Sequence, residues 1–212
     1  MKALVIGATG ATGKDLVQVL LKDNDYSEVT IFVRRPSGIA HPKLKEVLTD
    51  FDQLENVASE INGDSCFSCF GTTLKIAGSK EKQWFIDHEI PYRFARMAKK
   101  NGINKMVLLS AYGANAASKV FYSKMKGKLE DDIDSLGFEQ YIIFRPGLLD
   151  RPGTDRIGER IMLPVLKFMN RLGVAKQFRP LSTSLLAEKL ALAPKRFPAG
   201  KHAVKLDKIF GL

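Results

Sequence analysis

A short apolar run, Lys2-Ala3-Leu4-Val5-Ile6, opens directly into Gly7-Ala8-Thr9-Gly10-Ala11-Thr12-Gly13, a turn with glycine at every third position. No other stretch restricts the fold as strongly. The run predicts a buried parallel strand, and residues 14–21 have helical patterning. A glycine turn between strand and helix lets backbone N–H groups approach a pyrophosphate closely. The helix N-terminus adds unpaired donors and the positive end of its dipole. The spacing excludes a Walker A loop, which needs glycine at position 8 and Ser or Thr at 15, where this chain has Ala8 and Asp15. Gly7, Ala8, Thr9, Gly10, Ala11, Thr12 and Gly13 are therefore a candidate dinucleotide-binding turn. The plainer alternative is a turn that only packs a helix against a sheet.

The rest of the chain alternates in the same way. Strands are predicted over residues 29–33, 45–49, 66–70, 105–109 and 140–144. Between them lie a weak helix over 52–61, a helix over 81–100 that Pro91 can kink, and a long helix over 116–136. This alternation predicts an α/β fold, a Rossmann-type doubly wound parallel sheet in a single domain. Ligands of such sheets lie at the carboxyl ends of the strands. After residue 144 the texture changes: Arg145-Pro146-Gly147 and Arg151-Pro152-Gly153 are breakers, 161–172 is a strongly apolar helix, and 184–192 is a short one. The core is expected over residues 1–150. Residues 151–212, too few for a core of their own, form a small C-terminal extension on the substrate side.

Composition excludes several classes. The 212 residues, 45% of them hydrophobic, suit one sizeable globular domain. No apolar stretch reaches the length of a membrane span. No cleavable signal precedes the first strand, so a cytoplasmic protein is expected. The net charge of +10 is compatible with anionic small molecules. Its densest groups, Arg34-Arg35, Lys99-Lys100 and Lys124 with Lys126 and Lys128, form no long basic tract with interleaved aromatics, so nucleic acid is not an expected partner. Cys66 and Cys69 have Cys-x-x-Cys spacing, yet on a strand residues three apart point to opposite faces. They are expected to be buried structural thiols, with no metal site.

The second strand ends in Arg34-Arg35, where an NAD site would carry an acid for the ribose 2′-hydroxyl. Arginine grips a 2′-phosphate with charge-assisted hydrogen bonds, so NADP(H) is expected over NAD(H). Asp50 and Phe51 follow the third strand, where an adenine can dock, although an Asp there suits a helix N-cap equally well. Gly71-Thr72-Thr73 follows the fourth strand, where a glycine lets a ribose pass close to the backbone, although an ordinary loop glycine suits the place as well.

Tyr122 and Lys126 are four apart on the long predicted helix, so they share one face, and Ser110 ends the strand before it. A tyrosine is a poor base at neutral pH, and a nearby ammonium favours its phenolate. Ser110 can hydrogen-bond an oxygen that becomes negative during hydride transfer, and Tyr122 can donate or accept the proton. Tyr112 competes for that place but has Ala116, not lysine, four residues on.

These residues resemble the short-chain dehydrogenase/reductases of the atypical kind. The chain is most similar to the group containing the Tat-interacting tumour-suppressor protein and its bacterial relatives. The matching stretches are the glycine turn, Arg34-Arg35, Cys69-Phe70-Gly71-Thr72-Thr73, Leu108-Leu109-Ser110, Tyr122-Ser123-Lys124-Met125-Lys126-Gly127 and Phe144-Arg145-Pro146-Gly147. The resemblance implies NADPH binding, with Pro146 among the cofactor contacts, and a Ser110-Tyr122-Lys126 catalytic set whose lysine also binds the nicotinamide ribose. One departure stands out: Phe70-Gly71-Thr72-Thr73 occupies the place of the superfamily's asparagine-containing stretch. Two functions follow as expectations. One is an NADP-dependent oxidoreductase acting on a small carbonyl or alcohol held by residues 145–158 and 161–172. The other is a non-catalytic NADPH-binding regulator or redox sensor acting through protein contacts.

Overall fold

The computed structural model describes residues 1–150 and 179–212. Its centre is a seven-stranded sheet of β1 (Lys2–Ile6), β2 (Glu28–Val33), β3 (Leu44–Leu48), β4 (Ser65–Ser68), β5 (Lys105–Leu109), β6 (Gln140–Arg145) and β9 (Gly200–Lys205). A separate two-residue ladder pairs β7 (Leu149–Asp150) with β8 (Leu181–Ser182). The order in the large sheet is β3-β2-β1-β4-β5-β6-β9, and every pairing is parallel. The chain runs outward from β1 to β3, then returns to start again at β4. The crevice beyond the carboxyl ends of β1 and β4 is therefore the switch point of a doubly wound sheet.

Parallel strands are buried on both faces, so their residues alternate between two cores. Ala3 and Val5 point to the layer of α1 (Ala11–Lys22) and α6 (Thr183–Arg196), with Leu16, Leu20, Leu186 and Leu190. Leu4 and Ile6 point to the opposite layer, with Phe94 of α4 (Ile90–Lys100) and Leu129 of α5 (Phe121–Asp134). Cys66 and Cys69 obey the same alternation. They are free thiols in opposite cores, as the strand argument requires. Burial pushes both thiols up, Cys69 to about 12, so neither is a ready nucleophile.

Several boundaries differ from the sequence expectation, each for a local reason. The helix expected over 81–100 is α3 (Lys80–Trp84), a π-helical segment Phe85–Glu89 and then α4. Pro91, in the first turn of α4, cannot donate to the preceding turn, and the widened segment before it absorbs that gap. The long helix starts at Phe121, not at residue 116. Asn115 Oδ1 accepts from the Ala117 N–H at 2.9 Å and Ser118 Oγ from the Val120 N–H at 3.1 Å, so side chains compete with the helix for its first donors.

The C-terminal residues do more than cover strand ends. Helix α6 lies along α1, Tyr26 Oη from the loop between α1 and β2 donates to Ala191 O at 2.9 Å, and β9 extends the sheet beside β6. The helix expected over 161–172 lies outside the described residues. Among the described residues no helix is long and apolar enough to cross a membrane.

Candidate functional site

The glycine turn is built by contacts that exclude a side chain. Gly7 has φ +75° and lies against the end of β4: a Cβ there would meet Cys69 C at 2.6 Å and Phe70 N at 2.7 Å. A Cβ on Gly13 would stand 2.0 Å from Gly7 O, so α1 can begin this close to β1 only with glycine in its first turn. Gly10 is the N-cap of α1, and its N–H donates to Gly7 O at 3.1 Å. No side chain caps this helix and no acid sits in its first turn. Its leading N–H groups remain available to an anion, which fits a pyrophosphate. Ala8 is buried beneath the turn and Thr9 is exposed.

One cleft at the carboxyl ends of the strands is lined by Gly10, Ala11 and Thr12 on one side and by Cys69, Phe70, Gly71, Leu109, Ser110, Tyr122, Lys126, Pro146 and Leu149 around the rest. The fold thus gathers the start of α1, the ends of β4 and β5, one face of α5 and the residue after β6. Tyr122, in the first turn of α5, is 37% exposed and opens to solvent, whereas Lys126, one turn deeper, is only 2% exposed. The Lys126 ammonium donates to Phe70 O at 3.2 Å, which ties α5 to the loop after β4. A Cβ on Gly71 would meet nothing within 4 Å among the described residues, so no contact with them demands glycine there.

The flanking candidates divide. Arg34 and Arg35 are exposed just beyond β2, outside the cleft. Asp50 caps the 3-10 helix Phe51–Glu60, accepting from the Asp52 N–H at 3.0 Å, so the capping alternative is realised. Phe51 is buried and stands edge-on to Phe70, with ring centroids 5.2 Å apart. Thr73 Oγ1 accepts from the Ile76 N–H at the start of α2 (Leu74–Ala77), and the Thr72 N–H donates to Asp87 Oδ1 at 2.8 Å. Thr72, Thr73, Leu74, Lys80, Gln83, Val120, Phe121 and Tyr122 line a second, mostly apolar groove of about 430 Å³ that meets the cleft at Tyr122.

Glu130 and its pairing with Arg145 escaped the sequence argument, which places Arg145 in the substrate wall. Ser110 Oγ donates to Glu130 Oε1, and Glu130, 2% exposed on α5, is gripped by Arg145 at the end of β6. The Arg145 Nε lies 3.0 and 3.1 Å from the two carboxylate oxygens, and a guanidinium NH2 group bonds one of them again. In the sequence Glu130 belongs to Lys128-Leu129-Glu130-Asp131-Asp132, which has the look of a solvated helix face. The available signal was its place four residues after Lys126, on the face that carries Tyr122.

Residues 7–167 match the family described as NAD(P)H-binding. The chain belongs to this family. Over 168 residues it is 38% identical to the mitochondrial protein FMP52 of Candida albicans, covering 76% of this chain and 73% of that protein. The mitochondrial FMP52 of Debaryomyces hansenii is 41% identical over 151 residues, covering 70% and 67% respectively. Among solved structures, a short-chain dehydrogenase/reductase superfamily protein from Agrobacterium tumefaciens with bound NAD superposes with a TM-score of 0.74 at 14% identity, over 97% of this chain and 77% of that one. This NAD(P)H-binding chain accordingly has the short-chain dehydrogenase/reductase fold. The mitochondrial designation of its relatives overturns the cytoplasmic expectation, which rested on the opening residues and on composition.

Proposed function

We propose that this chain is an NADP-dependent oxidoreductase that interconverts a small carbonyl and its alcohol. The observation that carries the proposal is convergence: the uncapped N-terminus of α1, Ser110, Tyr122 and Lys126 line one cleft at the switch point of the sheet. Bound NADPH supplies a hydride. The turn from Gly7 to Gly13 would hold its pyrophosphate, the open backbone at Gly71 would let its ribose pass, and Arg34 and Arg35, exposed beyond β2, would take the 2′-phosphate. Pro146 lines the same cleft, and Asp50 and Phe51, outside that lining, would flank the adenine from the start of the 3-10 helix.

Tyr122 donates its phenolic proton to the carbonyl oxygen as the hydride reaches the carbon. The phenolate left behind faces the same side of α5 as the Lys126 ammonium, which stabilises the charge. Lys126 spends one of its three donors on Phe70 O and keeps two for the phenolate and for a ribose hydroxyl. Ser110, on the wall of the same cleft, faces the hydroxyl end of the alcohol. The groove between Leu74 and Phe121, joined to the cleft at Tyr122, receives the apolar body of the substrate.

The test combines binding and turnover. NADPH should bind more tightly than NADH, and a panel of aryl and alkyl carbonyls should include some that oxidise it. Tyr122→Phe should lower that rate by at least about a hundredfold while NADPH affinity stays within about twofold. Tighter binding of NADH would remove the NADP preference. NADPH binding with no turnover across the panel would favour the regulator, a role that suits the substitution of Phe70-Gly71-Thr72-Thr73 for the asparagine stretch.

A further inference from the structure

Ser110 has one proton to give, and the protein interior takes it. The acceptor is Glu130, whose carboxylate is ion-paired with Arg145. A carboxylate so paired only accepts, so in the Ser110–Glu130 bond the hydroxyl is the donor. The Arg145 fork fixes the carboxylate in both position and plane. The backbone of Ser110 is fixed as well, because its N–H donates to Phe144 O at 2.8 Å. What remains of the hydroxyl on the cleft side is its lone pairs.

We propose that Glu130 and Arg145 are positioning residues that hold Ser110 as a hydrogen-bond acceptor toward the cleft, so that Ser110 recognises the hydroxyl of an alcohol and not the oxygen of a carbonyl. The proposal deepens the oxidoreductase reading and rests on it for the meaning of the alcohol. In the reducing direction a hydride from NADPH forms the new C–H bond, the carbonyl π bond breaks, and the Tyr122 proton forms the new O–H. That O–H then turns from the Tyr122 phenolate and donates to Ser110. In the oxidising direction the alcohol docks with its O–H on Ser110, then swings that one proton to the Tyr122 phenolate, which takes it as the carbonyl π bond forms and the hydride leaves to NADP. Oxyanion stabilisation then falls to Tyr122 and Lys126 alone, and the site favours the alcohol over the carbonyl.

Two small probes read the polarity of Ser110 directly. Trifluoroethanol offers a donor hydroxyl; dimethyl sulfoxide only accepts. Each is titrated by NMR, with and without NADP, into the wild-type chain, Ser110→Ala, Glu130→Gln and the double variant. Trifluoroethanol should bind about tenfold more weakly to both single variants. In Glu130→Gln the guanidinium claims the amide oxygen, so the amide N–H donates to Ser110 and the Ser110 proton turns to the cleft. Dimethyl sulfoxide should therefore gain affinity in that variant alone. Adding Glu130→Gln to Ser110→Ala should move neither probe.

Ser110→Ala keeps the Glu130–Arg145 pair, so its result does not depend on the folding of the Gln variant. Unchanged trifluoroethanol binding in Ser110→Ala overturns the proposal. So does a loss in Glu130→Gln that persists in the alanine background, which is the signature of a merely structural role. If NADP(H) fails to bind, the oxidoreductase reading falls, while the titrations without cofactor still decide the polarity of Ser110.

Discussion

Gly13 lies buried behind the turn and Gly71 borders the cleft, and the protein needs them for different reasons. At Gly13 a methyl group would overlap Gly7 O at 2.0 Å; at Gly71 it would enter open space. Gly13→Ala should therefore destabilise the fold by about 3 kcal/mol or more, since neither backbone can give way. Gly71→Ala should leave the melting temperature unchanged, with stability within about 0.5 kcal/mol of the wild type. If a ribose passes there, NADPH affinity should still fall by more than about tenfold, a loss of over about 1.4 kcal/mol. Thermal melts paired with cofactor titration separate the two. The same contrast explains what the residues alone could tell. The turn was legible because a buried strand ending in regularly spaced glycines has few other uses. Glu130 was not, because its neighbours are charged and a buried acid in such company is visible only once β6 delivers Arg145 to it.

Between elements, polar contacts fix the relative positions of helices already held by apolar burial. Lys195 near the end of α6 bridges Asp23 at 2.6 Å and Asp25 at 2.8 Å, just past the end of α1. Partial burial alone would raise the Asp23 carboxyl, but the hydrogen bond and charge of Lys195 hold it below its ordinary value of 3.8. A depressed carboxyl adds stability that is fully present above 3.8 and is lost as the pH falls through its folded value. Lys195→Met should accordingly lower stability by about 0.5–1 kcal/mol at neutral pH, as partly exposed pairs do. The difference should shrink as the medium is acidified below 3.8, which melts across pH would reveal. The elements least legible in advance were those whose patterns depend on neighbours. In β9, Gly200-Lys201-His202-Ala203-Val204-Lys205, only Val204 is buried, because an edge strand exposes most of its residues. It therefore lacks the apolar run that marks β1, β2 and β5. The start of α5 was misplaced because Asn115 and Ser118 spend their side chains on local turns.

At the scale of the whole molecule, the parallel sheet makes its last strand a partner of β6 and not an appendage. Ending the chain after Arg196 would remove β9 and the buried Ile209, and would uncover the edge of β6. Such a chain should lose cooperative thermal unfolding and aggregate, as measured by circular dichroism and light scattering. The alternation of strands and helices made the overall architecture legible, since parallel pairing leaves few ways to bury both faces of each strand. The strand order depends on contacts far apart in the chain, and local patterning does not encode them.

The packing of α6 along α1 bears on how the molecule comes into being. The helix whose first turn faces the cleft is made long before the residues that cover its apolar flank, Leu186 and Leu190 of α6. During synthesis that flank stays unclothed until α6 itself has left the ribosome. Nascent chains of this design offer the uncovered helix to chaperones and proteases for as long as the intervening sheet takes to be made.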